Sequence, residues 1–154
     1  MRLLALLSLA ALGGASQHPV PAAVEHQIAA RAGLESYTPA RMLTNWHYVR
    51  WQYVPGELRI WFTNRSTWQV KFDVTPLRTA DCAVGRQKTF QLAGNKVYWS
   101  QVTDPTVEYV QQAWRCVKHP SGRWVRLVAS SQVPPTKLAD VGLGRVVASG
   151  RLVR

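Results

Sequence analysis

A chain of 154 residues that is 47% hydrophobic and 18% charged suits one globular domain with its own core, and excludes an extensively disordered protein. Its 19 basic and 8 acidic side chains leave it strongly cationic, yet no run of five or six like charges marks a disordered nucleic-acid arm. Two cysteines far apart in sequence exclude both a disulfide-dense scaffold and a CxxC redox pair.

The first fifteen residues, MRLLALLSLAALGGA, read as an export signal. Arg2 supplies the positive start, Leu3 to Leu12 the apolar run, and Gly13 and Ala15 the small residues a signal peptidase accepts. A membrane anchor is the competing assignment, but the apolar run is about half the length of roughly twenty residues that a bilayer span needs. Cleavage after Ala15 is expected to leave a soluble protein, secreted or periplasmic, with a net charge of 18 − 8 = +10. Such a charge draws polyanions: anionic lipid heads, envelope polymers or nucleic acid, the last less favoured. A solvated basic surface that aids solubility is the plainer reading. In an oxidising compartment Cys82 and Cys116 are expected to form a disulfide.

Residues 16 to 45 read as a lead-in and a short helix. SQHPVP is expected to be unstructured, Pro21 suits a first helical turn, Val24 and Ile28 fall one turn apart, and Gly33 marks the stop. Residues 46 to 154 read as a single β-rich domain. Val49, Trp51 and Tyr53 alternate with Tyr48, Arg50 and Gln52. After the Pro55-Gly56 turn, Leu58, Ile60 and Phe62 alternate with Arg59, Trp61 and Thr63, and Trp68, Val70, Phe72 and Val74 follow against Gln69, Lys71 and Asp73. Period-two patterning with short connections predicts a three-stranded antiparallel meander, with Val49, Trp51, Leu58, Ile60 and Phe62 in the core. The opposite parity places Tyr48, Arg50, Arg59, Trp61 and Lys71 on one face, a candidate binding surface: arginine offers paired donors to phosphate or carboxylate, and the rings offer flat stacking surfaces. A solvated sheet face, or one covered by another element, is the competing assignment.

A second meander is predicted from Thr89 to Leu92, Lys96 to Trp99, 107 to 117 and 123 to 130, with turns at AGN and HPSG. Trp114 and Cys116 share one parity while Ala113, Arg115 and Val117 share the other, a conflict that a bulge would reconcile. Pro134-Pro135 opens a helical pattern with Leu138, Val141 and Val146 toward the sheet. The fold class expected is α+β: a curved antiparallel sheet of six or seven strands with short N- and C-terminal helices on its apolar face. A β-sandwich is the alternative.

The order KVYWSQ, QQAWRCV, GRWVRLVASS and PPTKLADV, within the last sixty residues, resembles the closing strands and helix of extracytoplasmic domains of unknown function in bacterial envelope proteins and anti-sigma regulators. The resemblance implies a non-enzymatic sensing, carrier or interaction role, and carries over no functional residue.

No catalytic motif is present. His18, His26, His47 and His119 lack metal-ligand spacing, with His47 expected to be a partly buried, hydrogen-bonded imidazole, so neither a metal nor a cofactor is expected. The acids are scattered, Asp104 and Glu108 being the closest pair. Asn64-Arg65-Ser66 matches a glycosylation acceptor but also suits a turn. Three classes follow: a secreted or periplasmic binding module acting as sensor or carrier, with an anionic ligand, envelope polymer or protein as partner; a cationic polyanion-binding protein; and a secreted hydrolase. An enclosed apolar cavity would favour a carrier or sensor, and a filled core a surface binder.

Overall fold

The computed structural model describes residues 18–65, 67–78, 81–104 and 106–154. The leader expected over residues 1–15 and Ser66 of the glycosylation triplet lie outside the described residues. The architecture is α+β.

Helix α1 (Ala22–Arg31) begins where Pro21, with φ of −56°, receives the amides of Val24 and Glu25 on its carbonyl. It buries Ile28, and the turn that follows uses Gly33 at φ +50°. Of the segment expected to be unstructured, Val20 is instead fully buried in the core. Strand β1 (Tyr37–Pro39) pairs antiparallel with β9 (Gly150–Leu152), a two-stranded ribbon that joins the two ends of the described chain. No periodicity announces it, because strands of three residues carry too little pattern.

Seven strands form one open antiparallel sheet: β2 (His47–Val54), β3 (Glu57–Thr63), β4 (Gln69–Pro76), β5 (Lys88–Leu92), β6 (Asn95–Gln101), β7 (Gln111–Lys118) and β8 (Trp124–Ser131). Their spatial order is β2-β3-β4-β8-β7-β6-β5, so two meanders meet where β8 returns to β4. The β2–β3 turn uses Gly56 at φ +90°, as its Pro-Gly signal predicts.

Leu58, Ile60 and Phe62 on β3 and Val70, Phe72 and Val74 on β4 are fully buried, as alternation requires. Strand β2 departs from its expected register. A bulge between Tyr48 and Arg50 pairs Tyr48 with Phe62, and the two rings meet edge to face, 6.5 Å between centroids. Tyr48 therefore packs on the core, while Val49, expected inside, is 44% exposed. The bulge anticipated in β7 does not occur: β7 pairs with β8 without interruption from Gln111 to Lys118. Ala113 and Val117 face the core, and Trp114 is buried on the opposite face because the loop carrying Cys82 covers it. Residues 107 to 110, expected in this strand, precede it.

Helix α2 (Asp140–Ala148) starts later than the Pro134 opening expected for it, since Pro134 instead closes a turn onto Lys137 and Leu138. It buries Leu143, Val146 and Val147 over the second meander. Two glycines permit this approach: a Cβ on Gly144 would lie 3.0 Å from Leu92 Cδ1, and one on Gly150 only 2.6 Å from Leu127 Cδ1. Buried Gln111 ties the layers together, accepting from Trp99 Nε1 at 2.9 Å and donating to Val133 O and Leu138 O. Fully buried Phe62, Phe72, Leu58, Ile60, Leu127 and Leu143 fill the space over the sheet, and the clefts lie at its rim.

Candidate functional site

The candidate face of the first meander is assembled without Tyr48. Arg50 sits over the indole of Trp61, 3.7 Å from its centroid. Trp61, on the outward parity, is only 7% exposed, covered by Arg50 and by Tyr109, whose hydroxyl it hydrogen-bonds. Arg59 grips Glu57 with two bonds, at 2.8 and 2.7 Å. Lys71 pairs with Asp73 at 3.1 Å and lies over the ring of Tyr109. The cations of this face are thus already engaged by neighbouring acids and rings.

Asp73 is unusual within it. Its Oδ1 is buried and has no hydrogen-bond partner, and burial pushes its carboxyl up to about 6 against the opposing pull of Lys71. Glu57 beside it raises the carboxyl further, while Arg59 lowers it.

Toward the other end of the sheet a second group of cations gathers, between β6 and β7. Strands β6 and β7 pair only from Tyr98–Trp114 to Gln101–Gln111, whereas β7 and β8 stay paired as far as Lys118–Trp124 and β5 and β6 as far as Leu92–Asn95. Beyond Tyr98 and Trp114 the two strands part, and a cleft of about 680 Å³ opens between them. Arg78, Lys96, Arg115 and Arg123 line it together with Asn95, Tyr98 and Trp124, and among the described residues no acid does.

Each wall has a structural cause. The disulfide joins Cys82 to Cys116, with Cα atoms 6.0 Å apart, and brings the β4–β5 connection with Arg78 against β7. Trp114 Nε1 donates to Cys82 O at 2.6 Å, a second tether of the same loop. Arg115 spans the gap, donating to Asn95 Oδ1 at 2.8 Å and to the carbonyls of Val147 and Gly150 at 3.0 and 2.6 Å. A cation is favoured there by the carbonyl end of α2. Arg115 has no carboxylate within ion-pair distance among the described residues, and burial lowers its pKa. Arg126, stacked 4.9 Å over Trp114, is also lowered by burial and also lacks an acid within ion-pair distance among the described residues.

The sequence-predicted disulfide is therefore in place, and it organises a cationic cleft that sequence reasoning missed. The signal available was the density of basic residues near both cysteines, but their convergence depends on strand order. Among the described residues no three His, Cys, Asp or Glu side chains cluster as a metal site would require. His47, expected to be partly buried, is exposed, and His119 lies in the β7–β8 turn, bonded to Ser121. Asp104 receives the amide of Thr106 within its own loop, and Glu108 ties that loop to Gln132 just after β8. No described helix is long and apolar enough to cross a membrane. Comparison with family models, curated proteins and solved structures finds no match for this chain.

Proposed function

We propose that the chain is an exported, non-enzymatic binding module whose ligand is an anion held in the cleft between β6 and β7. The observation that carries this reading is the set of four cations, Arg78, Lys96, Arg115 and Arg123, lining one cleft with no acid among the described residues. Arg115, half-buried without a counter-charge, gains from an anionic ligand because charge-assisted hydrogen bonds replace the hydration that burial removed, and the exposed Arg78, Lys96 and Arg123 add attraction at the mouth. A filled core and rim clefts favour surface binding over enclosure, and the absence of carboxylates from the cleft favours binding over acid–base hydrolysis.

Export is part of the same proposal. It rests on the leader and agrees with the disulfide. The resemblance to extracytoplasmic sensing or interaction domains points the same way.

Titration calorimetry with pyrophosphate and with a sulfated oligosaccharide tests the ligand class. Binding should weaken with salt, since exposed charges are screened. Lys96→Glu combined with Arg123→Glu should lower affinity by about tenfold or more at unchanged melting temperature, whereas Arg50→Glu should not. Equal affinity of the wild type and the folded Lys96/Arg123 variant overturns the reading.

A further inference from the structure

A second concavity, of about 640 Å³, lies between residues 40–44, the β5–β6 turn and α2. Its character is different from that of the cationic cleft. Met42, Leu43, Leu92 and Val146 supply an apolar floor, with Met42 and Val146 buried, while Arg41 and Arg145 stand exposed beside it. Neither arginine lies within ion-pair distance of an acid among the described residues.

The walls are fixed to one another before any ligand arrives. The amide of Ala40 donates to Ser149 O at 3.1 Å and that of Arg41 to Ser149 Oγ at 3.0 Å, which ties the 40–44 segment to the end of α2. Asn95 Nδ2 donates to Ala148 O, and the close fit of Gly144 against Leu92 holds the β5–β6 hairpin to the same helix. At Gly142 the groove is open because no side chain projects there. A Cβ at that position would already touch Leu138 and Leu43 at 3.4 and 3.5 Å.

We propose that this groove binds a single-chain amphiphile with an anionic head, of the fatty carboxylate or alkyl sulfate class. An apolar floor rewards a hydrocarbon body in proportion to the area removed from water. Two unpaired guanidinium groups recognise a carboxylate or sulfate at its end through paired N–H donors. A sugar or nucleotide fits less well, because its hydroxyls would face Leu and Met side chains that cannot hydrogen-bond them. The groove lies at the rim while the core above the sheet is filled, so the chain of the amphiphile lies along α2 and does not enter the sheet.

This proposal does not depend on the cationic cleft, and its test keeps the two apart. Laurate below its micelle concentration is titrated into the full chain by calorimetry, with excess inorganic phosphate occupying simple anion sites and dodecanol as the uncharged control. Laurate should bind at one site per chain, about tenfold or more tighter than dodecanol. Arg41→Gln with Arg145→Gln should remove that advantage and leave dodecanol binding unchanged. Gly142→Leu, which fills the groove, should abolish both. Lys96→Glu with Arg123→Glu should change neither. Equal binding of laurate and dodecanol, undiminished laurate binding by the Arg41/Arg145 variant, or loss of binding in the Lys96/Arg123 variant each overturns the proposal.

Discussion

Trp114 donates its indole N–H to the carbonyl of Cys82 at 2.6 Å, and Cys82 is in turn bonded through sulfur to Cys116, two residues beyond Trp114 on the same strand. One loop residue is therefore held to β7 through both its backbone and its side chain.

Reduction should consequently lower stability without dissolving the sheet. The bridge closes a separation of 34 residues, which stabilises the fold by roughly 3 to 4 kcal/mol in the chain-entropy model. Thermal melts with and without reductant measure this, and unreduced protein should show no titratable thiol. Trp114→Phe keeps an aromatic side chain but loses the indole N–H and orphans the Cys82 carbonyl, at a cost of about 1 to 3 kcal/mol.

The two parities of β3 should not differ in the way alternation alone suggests. Trp61 is outward yet 7% exposed, so Trp61→Ala should cost about 3 to 5 kcal/mol, comparable with Ile60→Ala at about 2 to 5. Arg50→Ala removes the cation over Trp61 and should cost only about 0.5 to 2 kcal/mol. Denaturant midpoints of the three variants check the order, and a Trp61→Ala protein as stable as Arg50→Ala would contradict it.

Asp73 should reverse the usual acid response. Burial holds its carboxyl at about 6, above the ordinary aspartate value, so the folded state takes up a proton more readily than the unfolded chain. This group therefore adds stability as pH falls through 6 toward 4, and subtracts it at pH 7.5 by on the order of 3 kcal/mol. Lys71, Glu57, Arg59 and Tyr109 surround it; only Lys71 pairs with it directly. The stability difference between wild type and Asp73→Asn, followed by urea unfolding from pH 4 to 7.5, should move in favour of the variant as pH rises. A difference constant with pH would refute the assignment.

Gly150 should tolerate no side chain. A Cβ there would lie 2.6 Å from Leu127 Cδ1 and 3.3 Å from the Phe72 ring, within the packed core. Gly150→Ala should cost about 1 to 3 kcal/mol, read from its melting temperature.

Alternation in β3 and β4, the Pro55-Gly56 turn and the pairing of β5 with β6 were all legible in the sequence, because each depends on neighbours within one hairpin. Both central residues of the β5–β6 turn, Ala93 and Gly94, take positive φ, a geometry that suits Gly94 and that Ala93 adopts against its Cβ. The β2 bulge was not legible: aromatic residues occupy both parities there, so shifting one residue leaves the pattern looking equally apolar. Trp114 misled for the opposite reason, since an outer face covered by a disulfide-held loop reads like a second core face. The engagement of Arg50, Arg59 and Lys71 depends on cross-strand partners and on Tyr109. The cationic cleft requires the β6–β7 divergence and residues from four separate segments.

The return of β8 to β4 also bears on how the chain acquires its shape. Strand β4 completes the first meander with one edge open, and its partner is not synthesised until Ser131 has been added. Until then Val70, Phe72 and Val74 border a free row of backbone amides and carbonyls, a template on which another copy of the same strand can pair. So much non-local pairing slows folding, and the waiting edge makes the yield of refolding fall as protein concentration rises.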